Sequence, residues 1–66
     1  MRGRFRHHKG NVYAAEGLAR DHETREEVVI YRREDADPQE IPEVRPLSEW
    51  LGEVRDGVPR FKRLSS

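Results

Sequence analysis

Val28-Val29-Ile30-Tyr31 joins three β-branched residues to an aromatic one, with polar stretches on either side. Such a run suits a pleated, buried strand, because β-branched side chains lose rotamer freedom in a helix. Glu27–Arg32 is therefore read as the most strongly marked strand of the chain. A helix through residues 18–34 is the competing reading, and both Gly17 and the β-rich run oppose it.

The flanking segments follow the same period. Arg4-Phe5-Arg6-His7 alternates polar and apolar residues, as a half-buried strand does. Lys9-Gly10-Asn11 has the chemistry of a turn, and from Asn11 to Arg20 the alternation resumes with Tyr13, Ala15, Gly17 and Ala19 on one side. Gly17 inside that segment points to a bulge or bend. Asp21–Arg25 is a polar turn, and residues 33–43 form an acidic, proline-containing loop read as a mobile excursion. Val44–Leu47 is a short extended piece that Pro46 confines to an edge. Ser48 is expected to cap one helical turn near residues 48–51 that ends at Gly52. Asp56-Gly57 marks a final hairpin running to Lys62. The fold class is all-β: a single domain, 1–66, expected as a small five-stranded SH3-like barrel, open or closed.

Size makes this a thin-cored domain. With 66 residues, a third of them hydrophobic and 39% charged, the chain buries only about 60% of its unfolded surface. It contains no cysteine, so disulfides and thiolate metal ligands are excluded. A small domain without such staples fits a reducing compartment, and Met1–His8 lacks the apolar stretch of a signal peptide. A cytoplasmic location without membrane contact is the expectation.

Formal net charge is zero, yet residues 1–9 carry +4, residues 10–43 carry −6 and residues 44–66 carry +2. The basic ends supply candidate binding residues. Arg2, Arg4 and Arg6 share a strand face, and Arg60, Lys62 and Arg63 belong to the last strand. If first and last strands are neighbours, Arg4, Arg6, Arg60 and Lys62 merge into one basic face. Phe5, Tyr13, Tyr31 and Trp50 are the aromatic candidates for stacking or a peptide groove, though each is also needed to fill the core.

Other chemistry is weaker. His7, His8 and His22 are the only imidazoles, and a strand points adjacent residues to opposite faces. His7 is expected inward beside Phe5, and His8 outward with Arg4 and Arg6. No metal site and no cofactor is therefore expected. His22, Glu23 and Thr24 place a base, an acid and a hydroxyl in one turn, but Asp21 or Thr24 binding the turn's own backbone is the plainer account. No catalytic residue is assigned. Arg45 is expected to tie strands together by pairing with Glu27 or Glu53.

The sequence His7-His8-Lys9-Gly10-Asn11-Val12-Tyr13, with Gly17–Arg20, His22-Glu23-Thr24, Val28–Tyr31, Val44–Leu47 and Pro59-Arg60-Phe61, resembles a bacterial domain-of-unknown-function family, number 1653. Members read H-Y-K-G, then H-S-E-T, W-V-R-P-L and P-R-F. His8 stands where that family has Tyr, Asp21-His22 where it has His-Ser, and Glu43 where it has Trp. The resemblance makes His7, Gly10, Tyr13, Glu23, Thr24, Arg45, Pro46 and Phe61 signature positions with structural roles. It implies a compact, mostly β domain and no reaction. A binding or adaptor module for a protein partner is the leading expectation, as a monomer or weak homodimer. Electrostatic nucleic-acid binding by the terminal strands is the alternative.

Overall fold

The computed structural model describes residues 1–65. Its elements are strands β1 (Gly3–His7), β2 (Val12–Arg20), β3 (Glu27–Arg33) and β4 (Glu43–Pro46), helical turn α1 (Leu47–Trp50), and strands β5 (Glu53–Arg55), β6 (Val58–Pro59) and β7 (Phe61–Ser65). The fold is mainly β, as expected. Five strands form one antiparallel sheet in the order β4-β3-β2-β1-β7, and β5 with β6 forms a small second ladder. The sheet is open, because β4 and β7 stand at its two ends and do not pair. First and last strands are neighbours, with Arg6 opposite Lys62 and His7 opposite Phe61.

Turn chemistry sets the register. His7 and Asn11 close the first hairpin, the Asn11 carbonyl accepting from the His7 N–H at 2.8 Å and the His7 carbonyl from Gly10 at 2.7 Å. Gly10 sits at φ +111°, where an L side chain is strained. In β2 the predicted bulge is present, between Ala15 and Gly17. It has a consequence the simple alternation misses. Tyr13 and Ala15 face the core, but beyond the bulge the parity inverts, so Leu18 rather than Gly17 or Ala19 lies opposite buried Val29.

One face of the sheet carries the core: Phe5, Ala15, Val29, Tyr31, Trp50 and Phe61, with Met1, Tyr13 and Leu47 packed against it. α1 supplies its centre. Trp50 is 2% exposed, stacks on Phe61 at 3.7 Å between centroids and 7° from parallel, and meets Phe5 edge-on at 5.3 Å. Trp50 and Tyr31 are thus core residues and form no surface groove, because a chain with so few apolar side chains needs both inside.

Three other expectations change in detail. The helical turn begins at Leu47, and Pro46 occupies the cap position with no side-chain cap bond, so Ser48 lies inside the turn and caps nothing. Pro46, with φ fixed by its ring, ends the strand one residue earlier than a Ser48 cap requires. The final hairpin stops at Pro59, which has no N–H to extend it. The Arg60 N–H bonds Gly52 and the Arg60 carbonyl accepts from His8, and the chain crosses to pair with β1. The acidic loop is bonded back onto the sheet, since Arg32 Nη1 donates to the Pro38 and Glu40 carbonyls at 3.0 Å each.

Replacing Trp50 by Ala removes the shared stacking partner and should cost about 3–5 kcal/mol. A domain of this size holds only about 3–10 kcal/mol, so Trp50→Ala is expected to be largely unfolded and Trp50→Phe to stay folded. Urea unfolding followed by circular dichroism checks this; a Trp50→Ala domain within about 1 kcal/mol of wild type contradicts the assignment.

Candidate functional site

The reverse face of the sheet carries the charge. Its side chains include Arg4 and Arg6 from β1, Lys62 from β7, Ala14 and Glu16 from β2 and Arg32 from β3. Arg4 is bidentate on Glu34, Nε at 2.6 Å and Nη2 at 3.1 Å, and Arg32 is paired with Glu16 through Nε. Arg6 and Lys62 are different. They lie directly opposite across the β1–β7 ladder, and among the described residues neither has a carboxylate within 4 Å. Arg6 donates only to the Gly10 carbonyl, at 2.9 Å. Like charges facing each other across a ladder cost stability.

The expected basic face is therefore brought together in part. Arg6 and Lys62 are side by side, and Arg4 is adjacent but neutralised by Glu34. Arg63 points to the opposite face, its guanidinium 4.6 Å over the Phe5 ring and bonded to the Arg2 carbonyl at 2.9 Å. Arg60 precedes β7 and is half-buried. It joins a second basic group at the end of the first hairpin, where Lys9, Arg60 and Arg55 add to desolvation in pulling His8 below the ordinary imidazole value.

The histidines depart from expectation. β1 ends at His7, so His8 is already in the turn and is not pointed away; the two rings lie 4.3 Å apart. His7 does face inward, with Phe61 edge-on at 5.0 Å and Tyr13 at 6.2 Å. Its Nδ1 accepts the Lys9 N–H at 3.2 Å, which places the proton of the neutral ring on Nε2. Desolvation first, then the charges of His8, Arg45, Arg60 and Lys9, hold its pKa below the usual value. Among the described residues no group of three or more His, Asp or Glu converges as metal ligands do.

His22, Glu23 and Thr24 occupy an exposed loop between β2 and β3. Asp21 Oδ1 accepts the Glu23 and Thr24 N–H groups at 2.8 and 3.0 Å, and Thr24 Oγ1 accepts that of Glu26 at 3.1 Å. These side chains build their own turn. A neighbouring surface hollow is lined by Arg20, Arg25, Glu27, Leu47 and Leu51, without His22 or Glu23.

Arg45 was expected to pair with Glu27 or Glu53; its partner is Glu49, through Nη1 at 2.6 Å. β4 lies antiparallel to β3 with Arg45 opposite Val29, which carries the guanidinium over the core rings instead of toward either of those acids. It sits 5.5 Å from the Phe61 centroid and 5.8 Å from that of Tyr31. Desolvation pulls its pKa down, but Tyr31 and Glu49 outweigh this and the net shift is upward. A spacing of four, followed by a helical turn, was the signal for the Arg45–Glu49 pair. The Nε atoms of Arg45 and Arg60 and the indole Nε1 of Trp50 are enclosed and lack a hydrogen-bond partner.

Two carboxylates bind protons less readily folded than unfolded. The Thr24 and Glu23 N–H groups hold Asp21 below the usual carboxylate range, and Arg4 does the same for Glu34. Each contributes stability that is fully present above its unfolded pKa, about 4, and lost as pH falls through the lower folded value. Thermal midpoints measured from about pH 6 to about pH 2 should therefore fall less steeply in Asp21→Asn and in Glu34→Gln than in wild type. Parallel acid limbs contradict both attributions.

The likenesses to known proteins bear on the whole chain. No curated protein matches it. A crystal structure of a DUF1653 protein from Bordetella bronchiseptica is 40% identical and superimposes with a TM-score of 0.81, covering 97% of this chain and 86% of that one. The sequence profile of the family described as a protein of unknown function (DUF1653) matches residues 3–63, which include the first hairpin, the β3 run, the Arg45-Pro46 edge and the Arg60-Phe61 crossing, and the chain belongs to that family.

Proposed function

We propose that the domain is a binding module that takes up an extended, acidic segment of a protein partner along β7. The observation that carries this reading is the Arg6–Lys62 pair. On a face where Arg4 and Arg32 are each matched with a glutamate, these two cations stand opposite one another without one. Retaining a repulsive pair is understandable where a negative partner arrives to bridge it. β7 is also an end strand of the open sheet, so its outward N–H and C=O groups are available to a peptide added as a further strand. Lys9 and Arg55, both exposed, extend the positive surface beyond the hairpin end.

Nucleic-acid binding is the second reading, and several features disfavour it. Trp50, Tyr31 and Phe5 are buried, which removes the stacking surfaces that single-stranded nucleic acid uses. Glu16 and Glu34 occupy the same sheet face as Arg6, and net charge is zero. A phosphate backbone can accept from the edge N–H groups of β7 but offers its carbonyls no donor.

Fluorescence anisotropy with an alternating Glu/Thr peptide and with a single-stranded oligonucleotide separates the two. The peptide should bind, should weaken roughly three- to tenfold when Arg6 and Lys62 both become Gln, and should fail when proline interrupts its backbone. Oligonucleotide binding that falls steeply with salt, with no peptide binding, replaces this reading by the second. If neither ligand binds, β7 is not the recognition edge.

A further inference from the structure

We propose that the cluster of His7, Arg45 and Arg60 beside the Phe61 ring binds a single oxyanionic group, a carboxylate or a phosphate. The inference is independent of the β7 reading, because it concerns the core-facing side of the sheet and a point ligand instead of an extended chain.

The three residues come from separate parts of the chain: the end of β1, the edge strand β4, and the crossing between β6 and β7. They meet around Phe61. His7 lies edge-on to that ring at 5.0 Å, Arg45 places its guanidinium 5.5 Å from the ring centre, and Arg60 is its chain neighbour. The charges of both arginines reach His7. The imidazole offers neither arginine an acceptor. Its Nδ1 is already taken by the Lys9 N–H, so the nitrogen left over is the protonated Nε2. The cluster consists of donors.

Those donors are unmatched. Arg45 gives one terminal nitrogen to Glu49 at 2.6 Å, but its Nε is enclosed without an acceptor. Arg60 Nε is enclosed likewise, and among the described residues Arg60 has no carboxylate within 4 Å. A buried charged donor left unsatisfied is costly, so a site with two of them is incomplete as it stands. A water molecule can accept one N–H but leaves the Arg60 charge uncompensated. An oxyanion does both, and its two or three oxygens suit guanidinium N–H groups held at fixed angles. Preorganisation is visible as well: Arg45 is held over the rings of Tyr31 and Phe61, so little order has to be imposed on binding.

Glu49 makes the site readable. It competes for Arg45, and it is partly exposed at the start of α1, where its loss leaves the core untouched. The test is a titration of the 15N-labelled domain followed at the Arg45 and Arg60 Nε–H and Trp50 indole N–H resonances. Inorganic phosphate, acetate and, at matched ionic strength, chloride are added separately. Saturable shifts of both arginine Nε–H signals are expected with phosphate or with acetate and not with chloride, and the tighter of the two identifies the chemical source. Arg60→Gln should weaken that binding about ten- to a hundredfold, and Glu49→Gln should strengthen it. Shifts that are linear, equal to those of chloride, or unchanged in Arg60→Gln overturn the proposal. Should Arg60→Gln fail to fold, the wild-type saturation and the Glu49→Gln comparison decide, and unaltered or weaker binding in Glu49→Gln counts against it.

Discussion

Phe61 and Trp50 lie ring on ring, 3.7 Å between centroids, and the rest of the domain is organised by that contact. Phe61 belongs to the last strand of the sheet, and Trp50 to the only helical turn among the described residues. Their stack is what fixes the α1 segment over the open sheet. Phe5 meets Trp50 edge-on from β1, and Tyr31 lies 5.2 Å from it on β3. Four aromatic side chains from four elements thus do the work that a larger protein spreads over many aliphatic ones. Aromatic pairs at such separations contribute about 0.5–1.5 kcal/mol each beyond simple burial, which matters where little else is buried.

A core so small leaves much of the remaining order to arginine. Arg63 covers Phe5 and Arg45 covers Tyr31 and Phe61, so the methylene stems and guanidinium planes extend the apolar layer to its border. Arg32 ties the acidic loop to β3, and Arg4 reaches Glu34 at the start of that loop. Most of these links are exposed pairs worth a few tenths of a kcal/mol to about 1 kcal/mol apiece. Their value lies in geometry: each holds a loop or edge where no apolar side chain is available. Among the described residues Arg6, Lys62 and Arg60 have no carboxylate partner.

The strands were legible in the sequence because they are written in local chemistry. Val28–Ile30 is β-branched and Tyr31 aromatic, Lys9-Gly10-Asn11 and Asp56-Gly57 are turns, and Gly17 marks the bulge. What could not be read was anything that depends on register. A one-residue bulge inverts the facing of every later residue in β2, so Leu18 replaces Gly17 and Ala19 on the inner side. The Arg4–Glu34 pair joins residues thirty apart and exists only because β1, β2 and β3 align as they do. The paired histidines were misjudged for a smaller reason: the strand stops one residue sooner than the alternation suggests, and a turn does not keep adjacent side chains apart.

The candidate sites were only half visible because they too depend on register. Arg6 and Lys62 are legible as basic strand residues, but their opposition needs the β1–β7 ladder, which joins the two ends of the chain. His7, Arg45 and Arg60 are spread over more than fifty positions, and nothing in their spacing relates them. Pro46 and Pro59 bring them together. Each ends a ladder where its missing N–H leaves no bond to make, and each does so beside an arginine. At the first of these points Arg45 is held over the rings of Tyr31 and Phe61. In a domain with so thin a core, the residues that stop the strands also decide which cationic side chains are left at its border.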